Sequence, residues 1–355
     1  METSWQKNLP LMNSERFQQI LARAANKRIA AIGDLMLDEF VWGKVDRISP
    51  EAPVPVVEVT GESFYPGGAA NVARNLREFI DSVSVIGLVG ADAGGRKLRK
   101  LLRQRGIDTG SVIEGSDFRT IIKTRIIAGH QQVVRVDREQ IRAPTPEQVS
   151  RVAERVRQSL PEIDAIVFED YGKGFLSPEL VRQICLDAKA SRKIVTVDPN
   201  PRHFTDWRNV SAVTPNRTEA FLSAGVPWSN PIDPPTEDHT LREVGAKLLK
   251  KWGTKLVLIT LGEHGMMLFE AEQLPHHIPT KARQVFDVSG AGDTAIALFT
   301  LALVCEATPT EAAEIANHAS AVVVGKLGTA TVTPAPVSEG PGAAAQALVA
   351  PLTNG

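Results

Sequence analysis

The sequence is poor in the features that mark several protein classes. It has two cysteines in 355 residues, Cys185 and Cys305, far apart and each in an apolar helical setting. That makes core thiols the expected reading over a disulfide or a metal site. It has no run of about 18 apolar residues, and Met1 to Pro10 carries no signal-peptide core. Neither a membrane span nor export is expected, and a soluble, cytoplasmic protein is. Neither sign of charge dominates: 40 Lys plus Arg face 41 Asp plus Glu, a net charge of −1. That gives no support for a nucleic-acid or membrane partner. The pattern Gly-x-x-x-x-Gly-Lys-[Ser/Thr] is absent, which disfavours a P-loop kinase. There is no internal repeat.

What is present is a chain that is 43% hydrophobic, enough for a sizeable core in one large α/β domain or two smaller ones. Ser14–Asn26 reads as an amphipathic helix. Helical patterns at Ala69–Phe79, Gly95–Arg105, Pro146–Leu160 and Pro178–Ala190 alternate with β-rich runs. Those runs are Arg28–Ile32, Val83–Ile86, Ala165–Phe168, Ile194–Val197 and Leu256–Thr260. Such alternation predicts a mostly parallel sheet covered on both faces. Val54–Val59, and Arg119–Ile127 with Val133–Val136 around Gly129-His130, break the rhythm. They predict antiparallel strands projecting from the main sheet as a flap or a dimer contact. The tail, rich in Ala, Pro and Gly, is expected to be disordered.

The most informative stretch is Asp287-Val-Ser-Gly-Ala-Gly-Asp-Thr294, followed by the apolar helical run Ala295–Leu303. A glycine turn at a helix start can aim backbone N–H groups at an anion, where the dipole also favours one. A carboxylate beside it can take a proton from a hydroxyl attacking phosphorus. The alternative is a Gly-rich turn with Asp293 capping a helix. Tyr65-Pro-Gly-Gly-Ala-Ala-Asn71 sets a glycine pair, Gly67 and Gly68, before a helix, with Asn71 one turn in. Asp34 and Asp38 follow the first strand, at the sheet edge where ligands bind in open α/β folds, and carboxylates suit sugar hydroxyls. They could equally be solvated loop acids. Asn216 and Glu219, at i and i+3, suit a Mg²⁺ that keeps most of its water; they also fit a capping box. Thr260-Leu-Gly-Glu-His-Gly265 ends a buried strand in a Gly-bounded turn suited to a nucleotide.

In order, Gly67-Gly-Ala-Ala-Asn71, Gly87–Asp92, Asn216–Glu219, Thr260–Gly262 and Gly290-Ala-Gly-Asp293 resemble the motifs of the ribokinase-like (PfkB) sugar kinases, over roughly Arg28 to Pro334. The resemblance implies an αβα sandwich with a small β lid, ATP as donor and Mg²⁺ as helper. It implies Asp293 as base, with Gly290, Ala291 and Gly292 as the anion hole. Asn216 and Glu219 would hold the metal. Asp198 and Asn200 would face the phosphates, with Thr260, Gly262, Gly265 and Asn317 completing the nucleotide side. It also implies a monovalent-cation site near Asp287 and Ser289, and the proline-bearing lid strand suggests a homodimer joined through the lid.

Within that family the chain looks most like kinases of D-glycero-β-D-manno-heptose 7-phosphate. The residues that carry this are Gly33–Asp38, Arg47-Ile-Ser-Pro-Glu-Ala-Pro-Val-Pro-Val-Val57, Asp170-Tyr-Gly-Lys-Gly174 and Gly325-Lys-Leu-Gly-Thr329. Those enzymes phosphorylate the anomeric hydroxyl to the 1,7-bisphosphate, on the route to ADP-heptose and lipopolysaccharide core. Glu169 departs from the pattern, where a small serine is expected. A phosphorylated acceptor brings about −1.5 to −2 charges, so cations are needed far from Asp293. Lys44, Arg138 and Lys173 are the candidates, beside Asp170. Many relatives carry a nucleotidyltransferase domain after the kinase, and a kinase-only chain is expected here. The expected layout is a helical extension (1–27), a kinase domain (28–334) with lid segments near 41–62 and 118–138, and the tail (335–355). The competing functions are a kinase of another sugar or nucleoside, and a sugar or nucleotide sensor without turnover.

Overall fold

The computed structural model describes residues 12, 14–129, 131–203, 205–280, 288–325 and 330–333. Several expectations therefore lie outside the described residues: the hairpin tip at His130, the cation site at Asp287, most of the Gly325–Thr329 phrase and the tail.

Eight strands form the central sheet, in the order His276–Ile278, Met266–Glu270, Leu256–Thr260, Ala212–Val213, Ile194–Asp198, Ala165–Glu169, Arg28–Gly33 and Ser82–Ile86. From Leu256–Thr260 to Ser82–Ile86 all pairings are parallel. Strands covered on both faces need continuous apolar runs, and Ala165-Ile-Val-Phe-Glu169 is buried at every position. Met266–Glu270 and His276–Ile278, which follow Leu256–Thr260 antiparallel, are an addition that the strand–helix rhythm did not announce.

One core cluster packs Ala69–Arg77, Ala291–Val304 and Pro309–Val324 on one face of the sheet. The other packs Pro146–Ser159, Pro178–Ala190, Arg217–Ala224 and His239–Trp252 on the opposite face. Helix Ala291–Val304 is buried almost all round, as its unbroken apolar composition requires. The N-terminal helix Ser14–Ala22 is tied to the C-terminal part of the chain by Arg16 and Glu311, 2.8 Å apart.

The second sheet is the lid, in the order Pro55–Gly68, Leu35–Ile48, Ile121–Ala128, Gln131–Arg138. It differs from expectation in two ways. Its strands begin at the core, at Leu35 and Gly68, so Asp38 belongs to a lid strand and not to a loop. Its middle pairing, Met36 opposite Ile121 through Gly43 opposite Ala128, is parallel, because both strands leave the core in the same direction. The outer two pairings are antiparallel, as expected.

Candidate active site

The carboxyl ends of the parallel strands and the inner face of the lid enclose a cavity of about 700 Å³. Among the described residues six acids line it, Asp38, Glu169, Asp170, Asp198, Glu219 and Asp293, with three cations, Lys123, Arg125 and Arg217. Gathering acids at strand ends is possible because the strands are in register: Gly33, Glu169 and Asp198 lie opposite one another on adjacent strands.

Asp293 stands in the first turn of helix Ala291–Val304 and is 4% exposed. The helix starts at Gly290, whose φ of 79° is the left-handed conformation that glycine adopts without strain. First-turn N–H groups lack intrahelical partners, and the helix dipole favours an anion there. Both Asp293 oxygens are held. Asn71 Nδ2 donates to Oδ2 at 2.6 Å, and the Tyr171 hydroxyl donates to Oδ1 at 2.9 Å. Burial pushes the Asp293 pKa above its ordinary value, and those two hydrogen bonds pull against that rise. A buried, fixed carboxylate beside an anion-binding turn can accept a proton from a hydroxyl attacking a phosphoryl group.

Asn71 reaches Asp293 because Gly67 and Gly68 let the lid strand turn sharply into helix Ala69–Arg77. Gly68 has φ 59°, and a Cβ there would lie 2.4 Å from the Asp34 carbonyl oxygen. A Cβ on Gly67 would lie 2.3 Å from Asp38 Oδ2. Asp38 is buried and pairs with Arg125 Nη1 at 2.5 Å, a charge pair between two neighbouring lid strands. Lys123 Nζ stands 4.9 Å from the centre of the Tyr171 ring, and burial pushes its pKa down.

On the opposite side of the cavity lie Asp198, Asn200, Asn216, Glu219, Thr260 and Gly262. Asn216 caps helix Arg217–Ala224: its Oδ1 accepts from Glu219 N at 3.0 Å, and Glu219 Oε2 accepts from Asn216 N at 2.9 Å. The capping box and a place on the cavity wall therefore coexist. A Cβ on Gly292 would stand 3.4 Å from Asp198 Oδ2, so the Asp198 carboxylate sits against the helix start. The carboxyl pKa values of Asp198, Glu169 and Glu219 are all raised, first by burial.

Nine of the residues singled out in the sequence are not on the cavity wall: Gly67, Asn71 and Ala291 belong to the turn and helix starts behind it, and the other six are placed elsewhere, each for a visible reason. Asp34 accepts the backbone N–H of Tyr171, Lys173 and Phe175 at 3.0, 2.9 and 3.2 Å, so it orders the loop after Ala165–Glu169. Burial raises its pKa to about 6. Lys44 is exposed on the outer part of its lid strand. Arg138 binds Thr124 Oγ1 at 2.9 Å, on the face of its sheet opposite Lys123 and Arg125. Lys173 Nζ pairs with Glu139 Oε2 at 2.6 Å. Gly265 serves a tight strand connection, where a Cβ would meet the Ile278 carbonyl at 2.1 Å. Asn317 donates to the Pro279 carbonyl at 2.8 Å. Asp170, which does line the cavity, accepts from Gly172 N at 2.8 Å and contacts His203 Nδ1 at 2.9 Å, which raises the His203 pKa.

The structure adds Lys123, Arg125 and Tyr171, which sequence reasoning missed. A signal existed for two of them. Period-two spacing in Arg119–Ile127 puts positions 123 and 125 on one strand face, and that face looks into the cavity.

The pfkB family carbohydrate kinase pattern matches residues 26–336. A protein of Citrifermentans bemidjiense named bifunctional protein HldE is 40% identical over 323 residues, covering 91% of this chain and 65% of that protein. Its namesake in Desulfatibacillum aliphaticivorans is 39% identical, over 86% of this chain and 61% of that protein. The chain thus spans slightly less than two-thirds of the length of these relatives. Among solved structures, Arabidopsis thaliana ribokinase complexed with ribose and ATP is 20% identical with a TM-score of 0.66, covering 86% of this chain and 94% of that one. Phosphofructokinase-2 from Escherichia coli in complex with potassium is 20% identical with a TM-score of 0.69, over 85% and 94% of the two chains. The fold is ribokinase-like, and no helix among the described residues is long and apolar enough to cross a membrane. The chain belongs to the pfkB family of carbohydrate kinases.

Proposed function

We propose that this kinase transfers the γ-phosphoryl group of ATP to the anomeric hydroxyl of D-glycero-β-D-manno-heptose 7-phosphate, giving the 1,7-bisphosphate. The observation that carries the reading is Asp293, buried at a helix start and held through both oxygens by Asn71 and Tyr171. Asp293 takes the proton of the attacking hydroxyl as the new O–P bond forms and the bond to ADP breaks. The helix start at Gly290–Gly292 receives the phosphoryl oxygens. Lys123 and Arg125 are the cations on the lid side of the cavity, and they support a phosphorylated acceptor whose remote charge meets them.

Mg²⁺ fits the acidic side. Among the described residues Glu169 Oε2 is buried with no hydrogen-bond partner, and carboxylate oxygens are the donors such an ion takes. Asn216, Glu219 and Asp198 would hold it, and when bound it would offset phosphate charge. Two copies would join through the lid, whose strand Gln131–Arg138 is exposed along its length.

A panel of sugars with ATP and Mg²⁺ tests the reading. Phosphorus NMR should show a new anomeric phosphate from the heptose 7-phosphate. Preference for an unphosphorylated sugar would overturn the heptose assignment, and failure to turn over any sugar would favour a sensor.

A further inference from the structure

Glu169 stands where the resemblance implies a small serine, and its surroundings are unusual. It is 2% exposed, at the end of strand Ala165–Glu169, and lines the cavity. Its Oε2 is buried without a hydrogen-bond partner. Asp198, half-buried, stands directly opposite it on the next strand. Two adjacent carboxylates, Glu169 buried and Asp198 half-buried, repel each other when both are ionised, and a bound cation relieves that repulsion as protonation otherwise would. Arg217, a cation of the same cavity, is already paired with Asp238 at 2.8 Å. Asp198 also lies against the helix start that should receive a phosphate. Left uncompensated, it would repel the nucleotide that the site must bind.

We propose that Glu169 and Asp198 hold a hydrated divalent cation in the free enzyme, before any nucleotide arrives. Among the described residues no group of three or more His, Cys, Asp or Glu converges closely enough to ligate a bare metal. The ion is therefore held through its water shell, the mode Mg²⁺ favours. Glu169 turns a site that would otherwise receive its metal with the nucleotide into one that is loaded first. The role in phosphoryl transfer rests on the kinase reading above; the binding itself does not.

The test uses Mn²⁺ as the probe, with the full chain and neither nucleotide nor sugar present. Free Mn²⁺ is followed by its electron paramagnetic resonance signal, and thermal unfolding is recorded alongside. Wild-type protein should bind Mn²⁺, with Mg²⁺ competing, and Tm should rise with either ion. Glu169→Ser, and the near-isosteric Glu169→Gln in case the serine variant folds poorly, should weaken binding by about tenfold or more. In metal-free buffer both variants should melt no lower than wild type, because a buried unpaired carboxylate has gone. Absence of Mn²⁺ binding without nucleotide, or equal affinity in wild type and both variants, overturns the proposal. If Mn²⁺ binds but no sugar is phosphorylated, the cation site stands and the kinase reading fails.

Discussion

The core and the lid are built by opposite rules. The core strands are short and buried on both faces: Ala165–Glu169 has five residues, all buried. The lid strands Leu35–Ile48 and Pro55–Gly68 have 14 residues each and become exposed away from the core. The core presents Asp293, Asp198 and Glu219 from helix starts and strand ends, positions that packing holds rigid. The lid presents Asp38, Lys123 and Arg125 from a two-faced sheet. The contrast assigns bond-making to the core and choice of acceptor to the lid. Changes in the core should then damage transfer to every acceptor, and changes in the lid should discriminate among acceptors.

The largest effect tests the core half. Asp293→Asn should retain fold and ATP binding while kcat falls by about 10²–10⁴-fold with every acceptor, since an amide cannot take the proton. Steady-state kinetics with a nucleotide-binding titration checks it, and near wild-type turnover would remove Asp293 as the base. The next effect tests the lid half. Arg125→Ala or Lys123→Ala should lower kcat/KM for the phosphorylated heptose by about tenfold to a hundredfold, a lost charge-assisted hydrogen bond of roughly 1.5–3 kcal/mol. Arg125→Ala also leaves Asp38 without its partner, and Lys123→Ala also removes a charge that lowers the Asp293 pKa, so each effect is read as the ratio between phosphorylated and unphosphorylated acceptors.

How much of this was legible in the sequence follows the same division. Short apolar runs flanked by amphipathic helices have one stable packing, and Leu256–Thr260 and Pro178–Ala190 stand within the bounds their residues suggest. The lid strands were harder, because half-exposed strands carry weaker patterning and their partners lie far away in sequence. Asp34 shows the limit at the site. An acid after a first strand suits sugar hydroxyls, yet three backbone N–H groups of a loop some 140 positions later claim it. Nothing local announces those partners. Lys44, Arg138 and Lys173 carry charge near the lid or its loop, but their side chains do not line the cavity. Side-chain direction along Ile121–Ala128 places Lys123 and Arg125 on the face that lines the cavity.

A third prediction concerns the joint between core and lid. Gly68→Ala puts a Cβ 2.4 Å from the Asp34 carbonyl in a left-handed backbone and should lower stability by about 1–3 kcal/mol. Chemical denaturation of the purified variant measures it, and an unchanged midpoint would mean the turn relaxes freely. The smallest effect is in pH. As the proposed base Asp293 would act when ionised, and burial raises its pKa, so the acid limb of kcat/KM should lie above the ordinary aspartate range, with activity lost as pH falls. Tyr171→Phe removes a hydrogen bond that lowers that pKa and should move the limb upward, to higher pH. A pH–rate profile of both proteins decides it, and an unmoved or lowered limb would remove Tyr171 from the control of Asp293.

The division of labour between core and lid is tested most directly by kcat/KM for Lys123→Ala with heptose 7-phosphate and with the same heptose lacking its phosphate. The account predicts a loss of at least about tenfold with the phosphorylated acceptor and little change with the other. An equal loss with both acceptors, or none with either, would contradict it.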